Sequence, residues 1–417
     1  MGGYKNQQIT EWDQGWSSVD KRVCADCLND EALATSVQSA AEFFDCDYCG
    51  QHGNGAPIAA PVDVLLDAIT KGLRTEYGHP DNEGVMYVSS EGGYMMTVTD
   101  TWELLDDLDV TNDRNLHADL SNAIEGPWCQ RNPYRSSPAE ALSLGWAGFR
   151  DYVTHVSRYM FHLPSPDADQ QRKDGEIPPH DMLMTLAQTI KNGNLTRVLP
   201  EGTRWVRSRP HSSAEHFVTA KDLGSPPPKA AKSNRMTAGG ISAFYGATTH
   251  AGALAEVTWY TVDDYATVGT WATARPMLVI DLVDLPAVPS LFDPDQRHRR
   301  SDLLFLHGFA ADVRRPAKPD DKEHLDYVPT QIVAEYFRHL IQDDDRNPAM
   351  GVLWRSAMDL TVTNCVLFVD NMGCVEQTEE WTGQAASSLG LVPGSLQRGA
   401  LTDTSAWVKE DPITAGP

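Results

Sequence analysis

From Val23 to about Leu199 apolar residues recur at three- and four-residue spacing, in Ala60–Leu73 (APVDVLLDAITKGL), Thr101–Leu108 (TWELLDDL) and Pro138–Phe161 (PAEALSLGWAGFRDYVTHVSRYMF). That period lays one apolar stripe along a helix, so the first half predicts a mostly helical domain. Asp100 or Thr101, and Ser137 with Pro138, supply capping oxygens and a first-turn proline at the expected starts. Past Gly193 the pattern shortens to β-type runs, Ile241–Ala247, Pro276–Leu285, Gly351–Ser356 and Asn364–Val369, between Gly/Pro-rich loops and two short helices. The fold class expected is α+β: a helical domain over 1–199, a mixed α/β domain over 200–376, and a loosely ordered tail over 377–417. Pro226, Pro227 and Pro228 form a stiff extended loop, and no internal repeat is visible.

Composition narrows the function classes. A chain of 417 residues, 41% apolar and 22% charged, reads as a two-domain soluble protein, with no run near the ~18 apolar residues a membrane helix needs. The opening MGGYKNQQITEWDQGW has no secretory pattern, which makes the cytoplasm the expected location. With 58 acidic against 34 basic residues the net charge is −24, which argues against a broad nucleic-acid surface but leaves room for one basic pocket.

Of seven cysteines, four form two Cys-x2-Cys pairs, Cys24 with Cys27 and Cys46 with Cys49. Two such loops bring four thiolates around one tetrahedral ion and leave no open position, so a structural zinc site is expected, against the alternative of four unconnected thiols. Cys129, Cys365 and Cys374 read as ordinary thiols, and His307, His324 and His339 lack metal-ligand spacing.

The stretch Asn234–Val257 (NRMTAGGISAFYGATTHAGALAEV) carries the candidate chemistry. Gly239 and Gly240 permit a turn, after which a strand puts Ile241, Ala243 and Tyr245 on one face. Thr248 or Thr249 can cap the following helix, which carries Glu256 two turns in, while Arg235 lies on the loop before the strand. The plainer alternative is a surface ion pair between Arg235 and Glu256 beside a half-buried tyrosine. Near the cleft, Tyr327, Thr330 and Gln331 are either lining residues or, with Pro329, a helix start.

Together with RWVRSRP before it and GVLWRSAMDLTVTNCVLF after it, this stretch resembles the RES-domain family over about Gly202–Val375. The resemblance matches Arg207, Arg235, Tyr245, Glu256 and Ser356 to the family's arginines, tyrosine, glutamate and serine. WRS stands where the family tends to show YPS, and Glu256 lies farther from Ser356 than in compact members. The helical half is similar to the HEPN-like domain that precedes RES domains in longer members, and Arg150 and His155 have the spacing of a HEPN ribonuclease pair.

The resemblance implies an ADP-ribosyltransferase-like fold, NAD as substrate, and the role of a toxin that consumes NAD. An antitoxin protein and a second copy of the chain are partners it allows; no membrane partner is expected. Glu256 would offset the positive charge that grows on the ribose, Arg235 and Arg207 would hold the pyrophosphate, Tyr245 would stack on a ring, and Ser356 would hydrogen-bond the ribose or carboxamide. The contrasting expectation is a zinc-stabilised adaptor that binds a partner protein without catalysis.

Overall fold

The computed structural model describes residues 14–90, 92–164, 175–212, 214–258, 261–315, 323–378 and 388–401. The chain divides into two compact units, one of Met1–Ala141, Arg172–Glu176 and Ala287–Ser301, the other of Leu142–Gln171, Ile177–Pro286 and Asp302–Pro417.

In the first unit a short antiparallel pair, β1 (Arg22–Cys24) and β2 (Ala59–Pro61), accompanies helices α1 (Glu31–Ser39), α2 (Val62–Glu76), α3 (Thr101–Asp107) and α4 (Arg114–Ala123). Side-chain carboxylates start three of them. Asp30, Asp100 and Asp113 accept from first-turn amides that have no partner within the helix. The apolar stripe of α2, including Leu65, Leu66, Ile69 and Leu73, joins Leu33, Leu105, Leu116 and Leu120 in one core. Leu291 and Phe292, far along the chain, complete that core; a Cβ at Gly72 would come within 2.5 Å of the Phe292 ring, so the close approach requires glycine.

The second unit begins inside the helical text. Helix α5 (Pro138–Asp151) starts with the reciprocal bonds of a capping box: Ser137 N donates to Glu140 Oε2 at 2.9 Å, and Ser137 Oγ accepts from Glu140 N at 3.3 Å. It runs into a π-helical turn, Tyr152–Val156, and α6 (Pro179–Asn192) follows. By compactness, residues 142–164 and 177–199 group with the sheet-bearing unit. The reason is aromatic: Trp146 stacks on Phe149 at 5.6 Å and meets Phe309 of a later helix edge-on at 5.0 Å.

A ten-stranded mixed sheet follows. Its strands are β3 (Thr196–Leu199), β4 (Arg204–His211), β5 (Phe244–Ala247), β6 (Tyr265–Thr273), β7 (Met277–Asp281), β8 (Gly351–Arg355), β9 (Thr363–Leu367), β10 (Cys374–Glu376), β11 (Leu389–Leu391) and β12 (Gln397–Ala400), in the spatial order β10-β11-β6-β4-β5-β9-β8-β7-β3 with β12 also on β6. Helices α7 (His250–Thr258), α8 (Arg300–Arg314) and α9 (Val328–Leu340) lie between strands in sequence. The expectation of a loose tail over 377–417 is corrected for its described part: β11 and β12 pair antiparallel with β6, and Leu389 and Leu391 are buried. The Leu-Gly-Leu run is too short to stand out among Gly and Ser, and the partner strand supplies the order. Residues 379–387 and 402–417 lie outside the described residues.

One seam in this sheet borders a cleft. Strand β4 keeps a continuous antiparallel register with β6 from Arg204 to His211, but against β5 it shares one pair, Val206 with Ala247. The ladder parts there, and side chains of β4 and β5 line a cleft of about 230 Å³.

Candidate active site

Glu256 stands on one wall of this cleft. Its helix, α7, is started by Thr249, whose Oγ1 accepts from Gly252 N at 3.0 Å. Two turns in, Glu256 Oε1 accepts from Ser356 Oγ at 2.7 Å and from Asn364 Nδ2 at 2.8 Å. Both donors are buried, Ser356 at 1% and Asn364 at 4% exposure, so the carboxylate is fixed from beneath. Ser356 follows β8 and Asn364 sits in β9, which lies antiparallel to it with Trp354 opposite Asn364. The sheet register thus brings the two donors to one point.

Arg235 occupies a tight turn held by its backbone. Asn234 N donates to Thr237 O at 2.8 Å, Thr330 Oγ1 donates to Arg235 O at 2.6 Å, and Gln331 Nε2 donates to Asn234 O at 2.7 Å and Ser233 Oγ at 2.8 Å. From β5 the Tyr245 hydroxyl accepts from Met236 N at 3.2 Å and meets Thr237 Oγ1 at 3.0 Å. Desolvation pushes that hydroxyl up to about 12, so it is neutral throughout the physiological range.

With its backbone tied down, Arg235 sends its guanidinium into the cleft, where its Cζ lies 5.4 Å from the centre of the Tyr327 ring. Among the described residues the guanidinium has no hydrogen-bond or ion-pair partner, so the expected alternative of an Arg235–Glu256 surface pair is not formed. Burial pulls Arg235 below the usual arginine range, opposed by the fields of Tyr327, Glu256 and Tyr245. An uncommitted cation in a partly dry cleft is a site for an anion.

Arg207 is placed differently. Its Nε donates to Leu223 O at 2.8 Å and its Nη1 to Tyr245 O at 2.9 Å, with its Cζ 5.3 Å from the centre of the Phe244 ring. It lines the cleft and also acts as a strut between β4, β5 and the short helix Ala220–Leu223. Tyr327 also lines the cleft; Thr330 and Gln331 do not, because they sit in the first turn of α9 and hold the Arg235 loop from there.

Sequence reasoning missed Asn364 and Arg314, both of which line the cleft. The signal at Asn364 was a polar residue opening the otherwise apolar run NCVLF; Arg314, exposed at the end of α8, carried none.

The four paired cysteines come together in the first unit, every Sγ within 4.8 Å of the others, and the closest contacts are 3.4 Å (Cys24 to Cys49) and 3.7 Å (Cys24 to Cys27, Cys27 to Cys46). A tetrahedral ion with metal–sulfur bonds of about 2.3 Å separates its sulfurs by about 3.8 Å, so the quartet can hold a metal ion. Cys24, Cys27 and Cys46 are buried, and burial pushes the Cys24 thiol up to about 12. A cation's charge is what would favour the thiolate form there. Cys129, Cys365 and Cys374 are buried core thiols.

Among the described residues no hydrogen bond joins Arg150 to His155. Arg150 Nη1 binds Asp312 Oδ2 at 2.7 Å, beside Trp146 Nε1 at 2.9 Å on the same oxygen, whereas His155 is exposed on the π-helical turn.

A mixed sheet parted at one seam, with a pinned carboxylate and an uncommitted guanidinium lining one cleft, makes this an α+β domain with a charged opening between β4 and β5. The family model for the RES domain matches residues 204–384, and that for HEPN/RES N-terminal domain 1 matches residues 39–167. The chain is a RES-domain protein with an N-terminal HEPN/RES-type domain. The RES match takes in Arg207, Arg235, Tyr245, Glu256, Ser356 and Asn364, and the N-terminal match takes in Cys46 and Cys49 while starting after Cys24 and Cys27. RES domains are associated with NAD-related enzymatic activity. Comparison with curated proteins and with solved structures gave no match. Among the described residues no helix is long and apolar enough to cross a membrane.

Proposed function

We propose that this protein cleaves NAD at the bond between nicotinamide and ribose, with Glu256 as the catalytic carboxylate. The observation that carries this reading is that Glu256, pinned through Oε1, and Arg235, with an uncommitted guanidinium, line the same cleft. As the bond breaks, its electron pair leaves with the nicotinamide nitrogen and positive charge develops on the ribose. A carboxylate already fixed in place stabilises that charge without reorganising, before an acceptor attacks. Arg235 would take the pyrophosphate through its planar fork. The Tyr245 hydroxyl is committed to the Arg235 loop, leaving its ring as the part offered to the ligand, and Arg207 acts beneath it as a strut.

The Cys24, Cys27, Cys46 and Cys49 quartet is proposed to hold a structural zinc ion, on the strength of its all-thiol donor set and closed spacing. The biological reading is a toxin whose unneutralised expression harms the host, with an antitoxin protein covering the cleft near Arg235. Harmless expression of an active protein would overturn that part alone.

The test of the enzyme reading is nicotinamide release from NAD by purified wild type, Glu256→Gln and Arg235→Ala, beside a thermal melt of each. Glu256→Gln should keep the fold and lose turnover by ~10²-fold or more, because an amide fills the space but cannot offset the ribose charge. Arg235→Ala should raise KM instead, since the pyrophosphate is anionic in ground and transition states alike. A wild type that releases no nicotinamide would favour the adaptor reading.

A further inference from the structure

The two oxygens of Glu256 are not equivalent. Oε1 carries both hydrogen bonds, from Ser356 Oγ at 2.7 Å and Asn364 Nδ2 at 2.8 Å, while Oε2 has no hydrogen-bond partner among the described residues. Asn364 is 4% exposed, and its own Oδ1 is buried without a partner. The amide has only one sensible orientation. An ionised carboxylate oxygen only accepts, so Asn364 must turn its NH2 toward Glu256 and leave its carbonyl on the far side. No donor among the described residues meets that carbonyl, so the Nδ2 bond is the amide's hydrogen bond to the protein there. What the residue provides is the Nδ2 bond to Glu256.

Resting on the reading of Glu256 as the catalytic carboxylate, we infer that Asn364 is a positioning residue for the reaction: with Ser356 it pins Oε1, fixes the plane of the carboxylate, and reserves Oε2 for the developing charge on the substrate. The chemistry of the two donors fits this task. A lysine or arginine in place of Asn364 would hold the carboxylate as firmly but would neutralise it, and a neutralised carboxylate does little for a growing positive charge. A hydroxyl and an amide orient it while leaving its charge intact. Two donors on one oxygen also oppose rotation about the last side-chain bond, which a single donor would permit.

The test is Asn364→Ala, made in wild type and in Glu256→Gln, with NAD cleavage kinetics and thermal melts; Asn364→Leu, closer in volume, replaces it should the alanine variant not fold. Asn364→Ala in wild type should lower kcat by ~10-fold or more with little change in KM, since orientation of the carboxylate matters mainly in the transition state. In Glu256→Gln the same change should cost much less, because Asn364 acts through the charge already removed. Wild-type kcat in the single variant, or an equal loss in both backgrounds, would overturn the inference. One readout needs no substrate: the side-chain amide resonance of Asn364, followed by selective nitrogen labelling, should move when Glu256→Gln replaces the charged acceptor. An unmoved resonance would overturn the hydrogen bond itself, whereas a moved resonance in a wild type that releases no nicotinamide would sink the NAD reading and leave the pairing standing.

Discussion

Ser356 and Glu256 lie 100 residues apart in sequence, and the Ser356 Oγ donates to Glu256 Oε1 at 2.7 Å. The serine therefore meets the carboxylate, not the ligand alone, and its removal should be felt through the carboxylate. Hydrogen bonds to charged groups contribute about 1.5–3 kcal/mol, so Ser356→Ala should lower kcat by about 10- to 100-fold while leaving NAD affinity near that of wild type. Steady-state nicotinamide release over a range of NAD concentrations separates this from a binding role, which would raise KM.

Tyr245→Phe removes the oxygen that tethers Met236 N and Thr237 Oγ1. The Arg235 loop should loosen, raising KM and lowering stability by roughly 1 kcal/mol. A pH signature accompanies this. The folded-state value of Tyr245, about 12, lies above its ordinary value of 10, so the protonated hydroxyl is favoured by folding. Its contribution is fully present below pH 10 and is lost as pH rises from 10 toward 12. Denaturant melts between pH 9 and 11 should show wild type losing part of its advantage over Tyr245→Phe; parallel curves would mean the hydroxyl is not held as described.

For the quartet in the first unit, one equivalent of zinc per chain is expected by elemental analysis of protein purified without added metal. Strong chelation should abolish the cooperative melt of that unit, because a closed four-thiolate site contributes to folding directly. Less than about half an equivalent in freshly purified protein would count against a fully occupied site.

Arg150 offers a separate check on the helical half. Since its guanidinium is spent on Asp312, Arg150→Ala should cost up to about 1 kcal/mol of stability and change neither NAD cleavage nor RNA integrity. Digestion of RNA by wild type that disappears in Arg150→Ala would restore the ribonuclease reading.

Much of this site was legible because its parts are local. Arg235, Tyr245 and Glu256 fall within one loop, one strand and one helix, and Thr249 marks the helix start. Even there the strand begins at Phe244 rather than Ile241, since the residues before it find no ladder partner. What the pattern hid is what depends on register. Asn364 reads as the first residue of an apolar strand, and only the antiparallel pairing of Asn364 with Trp354 carries it to Glu256. The single pair joining β4 to β5, which opens the cleft, leaves no trace in periodicity. Arg207 suits a phosphate ligand by type and place and lines the cleft, whereas the carbonyls of Leu223 and Tyr245 that take two of its donors are set by the fold and leave no trace in the sequence. The period changes near residue 199, while the contact of Trp146 with Phe309, which groups helix text before that point with the sheet, leaves no mark in the period.

The first unit takes its last segment, Ala287–Ser301, from the middle of the chain that otherwise builds the second unit. No single break in the polypeptide can then release both units whole: cutting near residue 200 leaves the first core without Leu291 and Phe292. During synthesis the first core stays open until translation has passed Phe292, by which time Glu256 is made but Ser356 and Asn364 are not. The order of translation thus has the first core complete before the proposed catalytic carboxylate receives its two donors, and gene truncations that preserve the N-terminal half alone should yield an unstable product.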